Sequence, residues 1–244
     1  MQNGDEMGYI DIHSHILPGL DDGSRSMEQS LEMLRIAYEE GIDIIIATPH
    51  NMPGKGQPSL ETVQERAEQL RQMAKREELP IDIVVGTEYY YREKVLYLLE
   101  EEAAIRMNGS EYILAEFEPM VEKIYFRNAI RDILATGYRP IVAHVERYAN
   151  VMRDKAMLHD LKKMGALIQV NAASVIGDNG RVAKKDVKKL LKERLVDFVA
   201  TDAHSDGRRA PFMHKCATYL YKKYNAEYVD EILFLNAEKY LLNN

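Results

Sequence analysis

Gly41-Ile-Asp-Ile-Ile-Ile-Ala-Thr-Pro-His50 decides the reading of the fold. A glycine closes a helix-patterned stretch, a short Ile-rich run follows at once, and the segment ends on a histidine. A short continuous apolar run of this kind reads as a strand buried on both faces, which belongs to a parallel sheet. Similar runs recur along the chain, each leading into a polar group. Tyr9–Ile12 leads into His13 and His15, Ile81–Val85 into Glu88, Tyr112–Ala115 into Glu116 and Ile141–Ala143 into His144. Ala166–Val170 leads into Asn171, and Phe198–Thr201 into Asp202 and His204. The C-terminal ends of parallel strands are where an α/β barrel keeps its chemistry.

Helix signals alternate with these runs. Ser26-x-x-Gln29 resembles a capping box and opens an apolar-periodic stretch through Leu31, Leu34 and Tyr38, which Gly41 ends. Gly137 and Gly165 mark the same junction of helix and strand. Leu60–Glu78, Lys94–Glu102, Ile124–Thr136, Asp154–Lys163 and Lys184–Arg194 also read as helices, and Pro211–Tyr224 and Ala226–Leu242 as terminal ones. Seven strand–helix units without room for an eighth predict an α/β fold, a distorted (β/α)7 barrel; an open doubly wound sheet is the alternative. Residues 1–8 read as a short disordered lead, and 9–244 as a single domain. The loop Pro49–Ser59, rich in Pro and Gly, reads as a mobile lip over the site.

At 244 residues with 46% hydrophobic residues, the chain can bury the core of one barrel. A net charge of −7 lowers the expectation of a nucleic-acid partner. The single cysteine, Cys216, excludes an intrachain disulfide, and no apolar stretch has the length of a membrane span. The expected setting is cytoplasmic and soluble.

Residues two apart on a strand share a side. His13 and His15 therefore face together, with Asp11 just beneath His13, where it is expected to fix the ring's tautomer. Asp202 and His204 share a face at another strand end; the next helix signal, Pro211, lies too far off for Asp202 to be its cap. His50 and His144 stand alone, and their strand-end positions favour ligation over a core role. Glu88 follows Gly86, which leaves space for close approach, and is placed to bridge two metals. Glu116 follows the same logic. Asp21 and Asp22 precede Gly23 in a turn, where Asp is common for turn reasons alone. Mixed imidazole and carboxylate ligands suit Mn, Fe or Zn, and so many candidates exceed one coordination shell. Two or three metal ions are expected.

His13-Ser-His15, Thr48-Pro-His50, His144 and Asp202-Ala-His204 resemble the four motifs of the polymerase-and-histidinol-phosphatase (PHP) superfamily. Asp11-Ile-His-Ser-His-Ile-Leu-Pro18, Leu20-Asp-Asp-Gly23, Tyr112-Ile-Leu-Ala-Glu-Phe117 and Pro140-Ile-Val-Ala-His-Val-Glu-Arg147 are similar, more narrowly, to the bacterial manganese-dependent protein-tyrosine phosphatases of capsular and exopolysaccharide operons. The resemblance implies a Mn2+ site of three ions. His13, His15, Glu88 and Asp202 would hold one, Glu88, Glu116 and His144 a second, and Asp22, His50 and His204 a third. It also implies phosphate-binding arginines: Arg147, and either Arg208 or Arg209, because this chain is one residue short between His204 and the arginine. The implied partner is a phosphotyrosine protein, the tail of a bacterial tyrosine kinase that controls polysaccharide assembly.

The residue chemistry is compatible with that activity. An arginine fork pairs bidentately with phosphate. A phenolate leaving group, with a pKa near ~10, needs little help from an acid. Cys216 lies in a helical stretch without glycines, so a thiolate mechanism is not expected. Tyr89, Tyr90 and Tyr91 are candidates to stack on the substrate ring. His159 and His214 read as surface residues. The rival within the superfamily is a phosphatase of a small molecule such as histidinol phosphate; a non-catalytic, metal-stabilised binding protein is the rival outside it.

Overall fold

The computed structural model describes residues 8–52, 54 and 56–243. Met1–Met7 of the expected N-terminal lead lie outside them, and Gly8 donates its N–H to the Asp43 carboxylate at 2.7 Å. Among the described residues nine strands form: β1 (Tyr9–Ser14), β2 (Ile42–Ala47), β3 (His50–Asn51), β4 (Asp82–Val85), β5 (Glu88–Tyr90), β6 (Tyr112–Glu116), β7 (Arg139–Val142), β8 (Leu167–Asn171) and β9 (Phe198–Ala200). Every pairing between them is parallel. One sheet runs β1-β2-β4 and the other β3-β5-β6-β7-β8-β9.

Together these strands make seven staves. Thr48-Pro49 interrupts one stave between β2 and β3, and Gly86-Thr87 another between β4 and β5. Pro49 has no N–H to give to a ladder, yet its carbonyl still accepts from Glu88 N–H at 3.1 Å. Gly86 N–H reaches Ala47 O at 2.8 Å, so the two broken staves stay side by side. The barrel closes between the ends of the first and last staves. Asp202 N–H donates to His13 O and His15 N–H to Ala203 O, both at 2.8 Å. The distorted (β/α)7 barrel is therefore observed, and the open sheet is not.

The helices follow the expected punctuation. Ser26 caps Met27–Glu39 by accepting from Gln29 N–H, and the Gln29 side chain reaches back to Arg25 N–H rather than to Ser26. Gly41 takes φ +83°, a left-handed turn that an L side chain adopts only at a cost. Inside the barrel, Ile10, Ile12, Ile46, Leu114, Ile141 and Phe198 pack into one buried cluster. Ala237 and Leu241 join it from the helical run 226–242, whose last turns widen to π geometry. That helix stoppers the N-terminal end of the barrel, leaving the C-terminal strand ends as the mouth. Leu241→Ala opens a cavity in this stopper and is expected to cost about 2–5 kcal/mol in a denaturant titration. A loss below ~1 kcal/mol would mean that the helix is not part of the core. No helix among the described residues is long and apolar enough to cross a membrane.

Candidate metal centre

The two histidines of β1 reach the mouth through an irregularity. Between Asp11 and Ser14 the register against β2 slips by one residue, which ends the strict alternation. Ile10, Ile12 and then His13 all turn inward, while Asp11 lies outside the barrel wall and accepts from Thr201 N–H at 2.9 Å and Thr201 Oγ1 at 2.5 Å. Asp11 does not orient the His13 ring, contrary to the expectation from strand alternation. Gln169 faces that ring instead, with its Oε1 3.2 Å from His13 Nδ1. His13 Nε2 and His15 Nε2 are 3.2 Å apart, so the pair does face one way.

Each broken stave delivers one ligand-type side chain just beyond its break, His50 from β3 and Glu88 from β5. At Gly86 an added Cβ would lie 2.8 Å from Met107 Sδ, so the close approach expected there is with the barrel wall. His144 and Asp202 follow β7 and β9 at φ +31° and +55°. Non-glycine residues held in that region are strained, and such strain persists where the surroundings fix it.

The structure brings together nine of the expected residues: His13, His15, Asp22, His50, Glu88, Glu116, His144, Asp202 and His204. Donor atoms of His15, Asp22, His50 and His204 lie within 4.8 Å of one another, as do those of His13, His15 and Glu88, and those of His50, Glu88 and Glu116. Glu88 sits at the centre. Its Oε2 is 3.2 Å from His13, 3.3 Å from His15 and 3.0 Å from His50, and its Oε1 is 2.9 Å from His144. Glu116 lies 3.8 Å from His50 and 3.7 Å from His144. Asp22, the exposed member, approaches His50 at 3.4 Å and His204 at 3.6 Å.

The electrostatics of this cluster follow from burial and from the charges its members set against one another. Burial opposes ionisation of Glu88 and Asp202, yet His13 and the imidazoles around them hold both carboxyls well below the usual range. Burial and the neighbouring Glu88 push Glu116 up to about 7. Burial and Arg147 press His144 down to about 4, while burial and His15 press His204 down to about 3. His50 Nδ1 and Glu88 Oε2 face each other at 3.0 Å without hydrogen-bond geometry, and Glu116 Oε2 is buried with no hydrogen bond. Buried donors of mixed imidazole and carboxylate type fit divalent ions of the Mn, Fe and Zn kind.

A layer of supporting groups lies beneath, and most of it escaped the sequence reading. Asp21, taken there for a turn residue, accepts from His15 Nδ1 at 2.7 Å, His50 N–H at 2.8 Å and Gly23 N–H at 2.8 Å. Gln169 Oε1 accepts from His144 N–H at 2.7 Å, and its amide donates to Asn171, which donates to Asp202. The one available signal for Gln169 was a polar residue inside an otherwise apolar buried run. Gln169→Leu removes an acceptor that fixes a ligand ring and should weaken metal binding by about 10–100-fold. A metal titration of the variant matching the parent would overturn that role.

Two arginines converge on Asp202. Arg147 Nη2 donates to Asp202 Oδ2 at 2.5 Å, and Arg209 Nη2 lies 3.0 Å from the same oxygen. The neighbouring Glu146 accepts from Asn171 N–H at 3.0 Å. Arg208 is exposed and makes no hydrogen bond or ion pair among the described residues. Of the three tyrosines, Tyr89 and Tyr91 are core residues, the first accepting from Ile105 N–H and the second stacked on Phe117. Tyr90, half-buried and paired in register with Glu116, is the one at the mouth. Cys216 is buried, and burial pushes its thiol up, away from thiolate chemistry. His159 pairs with Glu193 at the surface and His214 is exposed. In the Pro49–Ser59 loop, Met52 and Gly56 form an antiparallel bridge, while Pro53 and Lys55 lie outside the described residues.

A seven-staved parallel barrel with imidazoles and carboxylates gathered at its mouth has the architecture of a metal-dependent hydrolase. The model of the capsular polysaccharide synthesis family CpsB/CapC matches residues 9–242, and the chain belongs to that family. It is 34% identical over 236 residues to the tyrosine-protein phosphatase YwqE of Bacillus subtilis, covering 96% of this chain and 92% of the relative. One of the crystal structures of YwqE and of CpsB from Streptococcus pneumoniae, unique metal-dependent tyrosine phosphatases, superposes with a TM-score of 0.89 at 33% identity, covering 96% of this chain and 95% of that one. Histidinol phosphate phosphatase from Lactococcus lactis, in complex with zinc, L-histidinol and phosphate, shares the fold at 14% identity and a TM-score of 0.59, covering 90% of this chain and 95% of that one. The tyrosine-phosphatase reading is favoured over the small-molecule alternative.

Proposed function

We propose that this chain hydrolyses phosphotyrosine on proteins, with His13, His15, Asp22, His50, Glu88, Glu116, His144, Asp202 and His204 holding two or three Mn2+ ions. The observation that carries the reading is the pair of guanidinium groups on Asp202, at the rim of a cluster of buried imidazoles and carboxylates. When bound, such ions lower the pKa of a coordinated water and neutralise phosphate oxygens. Arg147 and Arg209 are positioned to take the remaining phosphate oxygens, exchanging Asp202 for substrate. Asp202 keeps both guanidiniums extended over the mouth until then. The leaving phenolate needs no strong acid, and Tyr90, paired in register with Glu116, is the aromatic side chain available to meet an aryl ring.

The nature of the family supports a partner in polysaccharide assembly, and we propose as substrate the phosphorylated tail of a bacterial tyrosine kinase. The test is hydrolysis of a phosphotyrosine peptide beside a phosphoserine peptide and histidinol phosphate, after chelation and then with Mn2+ restored. Activity is expected to vanish on chelation, to return with Mn2+ and to be confined to phosphotyrosine. Preferential turnover of histidinol phosphate would move the assignment to a small-molecule phosphatase. Metal-independent turnover would remove the cage from the chemistry.

A further inference from the structure

The charge of this chain is unevenly placed. Residues 181–194 and 214–224 carry ten Lys or Arg against two Asp or Glu, while the remainder carries 22 against 37. The basic residues belong largely to the helices Arg181–Lys192 and His214–Lys223, which both pack against the short helix Ala172–Ile176, the second also meeting the start of helix 226–242. Between them lies a groove of about 520 Å³, lined by Lys188, Lys192, Arg194 and Lys223 with Tyr219 and Tyr224. No acidic side chain lines it. That volume is within the range of small-molecule sites.

The groove is remote from the mouth. Both helices end there, and Arg194 precedes the segment that enters the N-terminal end of β9 at Phe198. The metal-type ligands stand at the other ends of the strands. None of the four cations makes a hydrogen bond or ion pair with a carboxylate among the described residues. By contrast Lys189, one residue from Lys188, is neutralised by Asp186 at 2.6 Å. Arg194 lies over the Tyr228 ring, 5.1 Å from its centroid, which holds the guanidinium flat at the edge of the groove. Complementing the negative ends of two helices explains Lys192 and Lys223. It does not explain Lys188, a turn earlier, or Arg194, beyond the helix end. Four like charges gathered in one concavity repel one another, and a ligand of opposite charge relieves that repulsion.

We propose that this groove is a second ligand site, which binds a multiply charged phosphate group at the end of the barrel opposite the metal centre. Lysine ammoniums and an arginine fork suit di- or polyphosphate oxygens, and the tyrosine hydroxyls add neutral donors. The phosphate can come from a free compound of the nucleoside diphosphate kind or from the headgroups of an anionic lipid surface.

The test titrates the Mn2+-loaded enzyme with pyrophosphate, ADP and sulfate by calorimetry. In parallel it measures flotation with vesicles of phosphatidylglycerol and phosphatidylcholine against vesicles of phosphatidylcholine alone. Each titration is repeated on Lys192→Glu/Lys223→Glu and on the milder Lys188→Gln/Arg194→Gln. Pyrophosphate or ADP is expected to bind at least about tenfold more weakly to both variants, with hydrolysis of a small aryl phosphate at the mouth unchanged. That result assigns a soluble ligand, whereas loss of vesicle flotation alone assigns a lipid surface. Binding that survives both variants would place the ligand in the mouth and overturn the proposal. So would sulfate binding as tightly as pyrophosphate, which marks generic anion attraction, or the absence of binding to any probe.

Discussion

Asp202→Ala is expected to lower turnover of a phosphotyrosine peptide by about a thousandfold or more, because three separate functions meet on one carboxylate. Its Oδ1 lies 3.6 Å from His13 and 3.5 Å from His15, the position of a shared ligand. Its Oδ2 receives Arg147, Arg209 and the Asn171 amide. Removing it would leave an ion held by His13 and His15 one ligand short, and both arginines without their anchor. The fold should survive, since the side chains of Arg147 and Arg209 are 39% and 45% exposed and can turn to water. One complication is the backbone. Asp202 holds φ +55°, and alanine there costs roughly 1 kcal/mol more than aspartate or asparagine. Asp202→Asn keeps that tolerance and removes only the charge. Both variants should lose bound metal, measured by elemental analysis, together with activity. Near-parental activity in Asp202→Asn would overturn the site assignment.

Arg147→Ala should separate binding of phosphate from binding of metal. A charged fork beside the reacting phosphate contributes to transition-state stabilisation, and its removal is expected to cost about 10²–10³ in kcat. Metal content should stay at the parental value, because among the described residues Asp202 is the one member of the cluster that Arg147 hydrogen-bonds. Arg147→Lys should recover little, since a point charge cannot reproduce the bidentate fork. The informative outcome is the pair of measurements. Activity lost with metal retained supports a substrate role, whereas metal lost as well would make Arg147 a structural counter-ion of Asp202.

Much of this molecule is legible along the chain. All seven apolar runs become staves, because a short Ile/Val stretch bounded by turn residues can bury both faces only inside a parallel sheet. The two short strands β3 and β5 could not be read, because two or three residues beyond Pro49 and Gly86 have no pattern of their own. They exist by pairing with neighbours already in place. Tyr89 and Tyr91 were grouped with Tyr90 for the same reason. Once β5 is recognised, alternation separates Tyr90 at the mouth from the two core residues. Alternation fails at His13, where the slipped register against β2 turns the ring toward Gln169 and away from Asp11. The choice between Arg208 and Arg209 depends on how the segment after His204 folds back. His204 N–H donates to Arg209 O, and the Arg209 side chain returns to Asp202.

Read along the chain alone, seven parallel staves, their succession and the imidazoles and carboxylates at their C-terminal ends are legible, whereas closure into a barrel over an open sheet rests on contacts between the first and last staves. The legible features are local properties, set by apolar runs and by the residue that follows each one. Only the tertiary structure decided which of these groups touch, which supporting residues aim them, and that four unpaired cations gather at the far end. Such contacts join residues as distant as Asp11 and Thr201, and they depend on strand register and helix packing, which no short stretch of chain encodes.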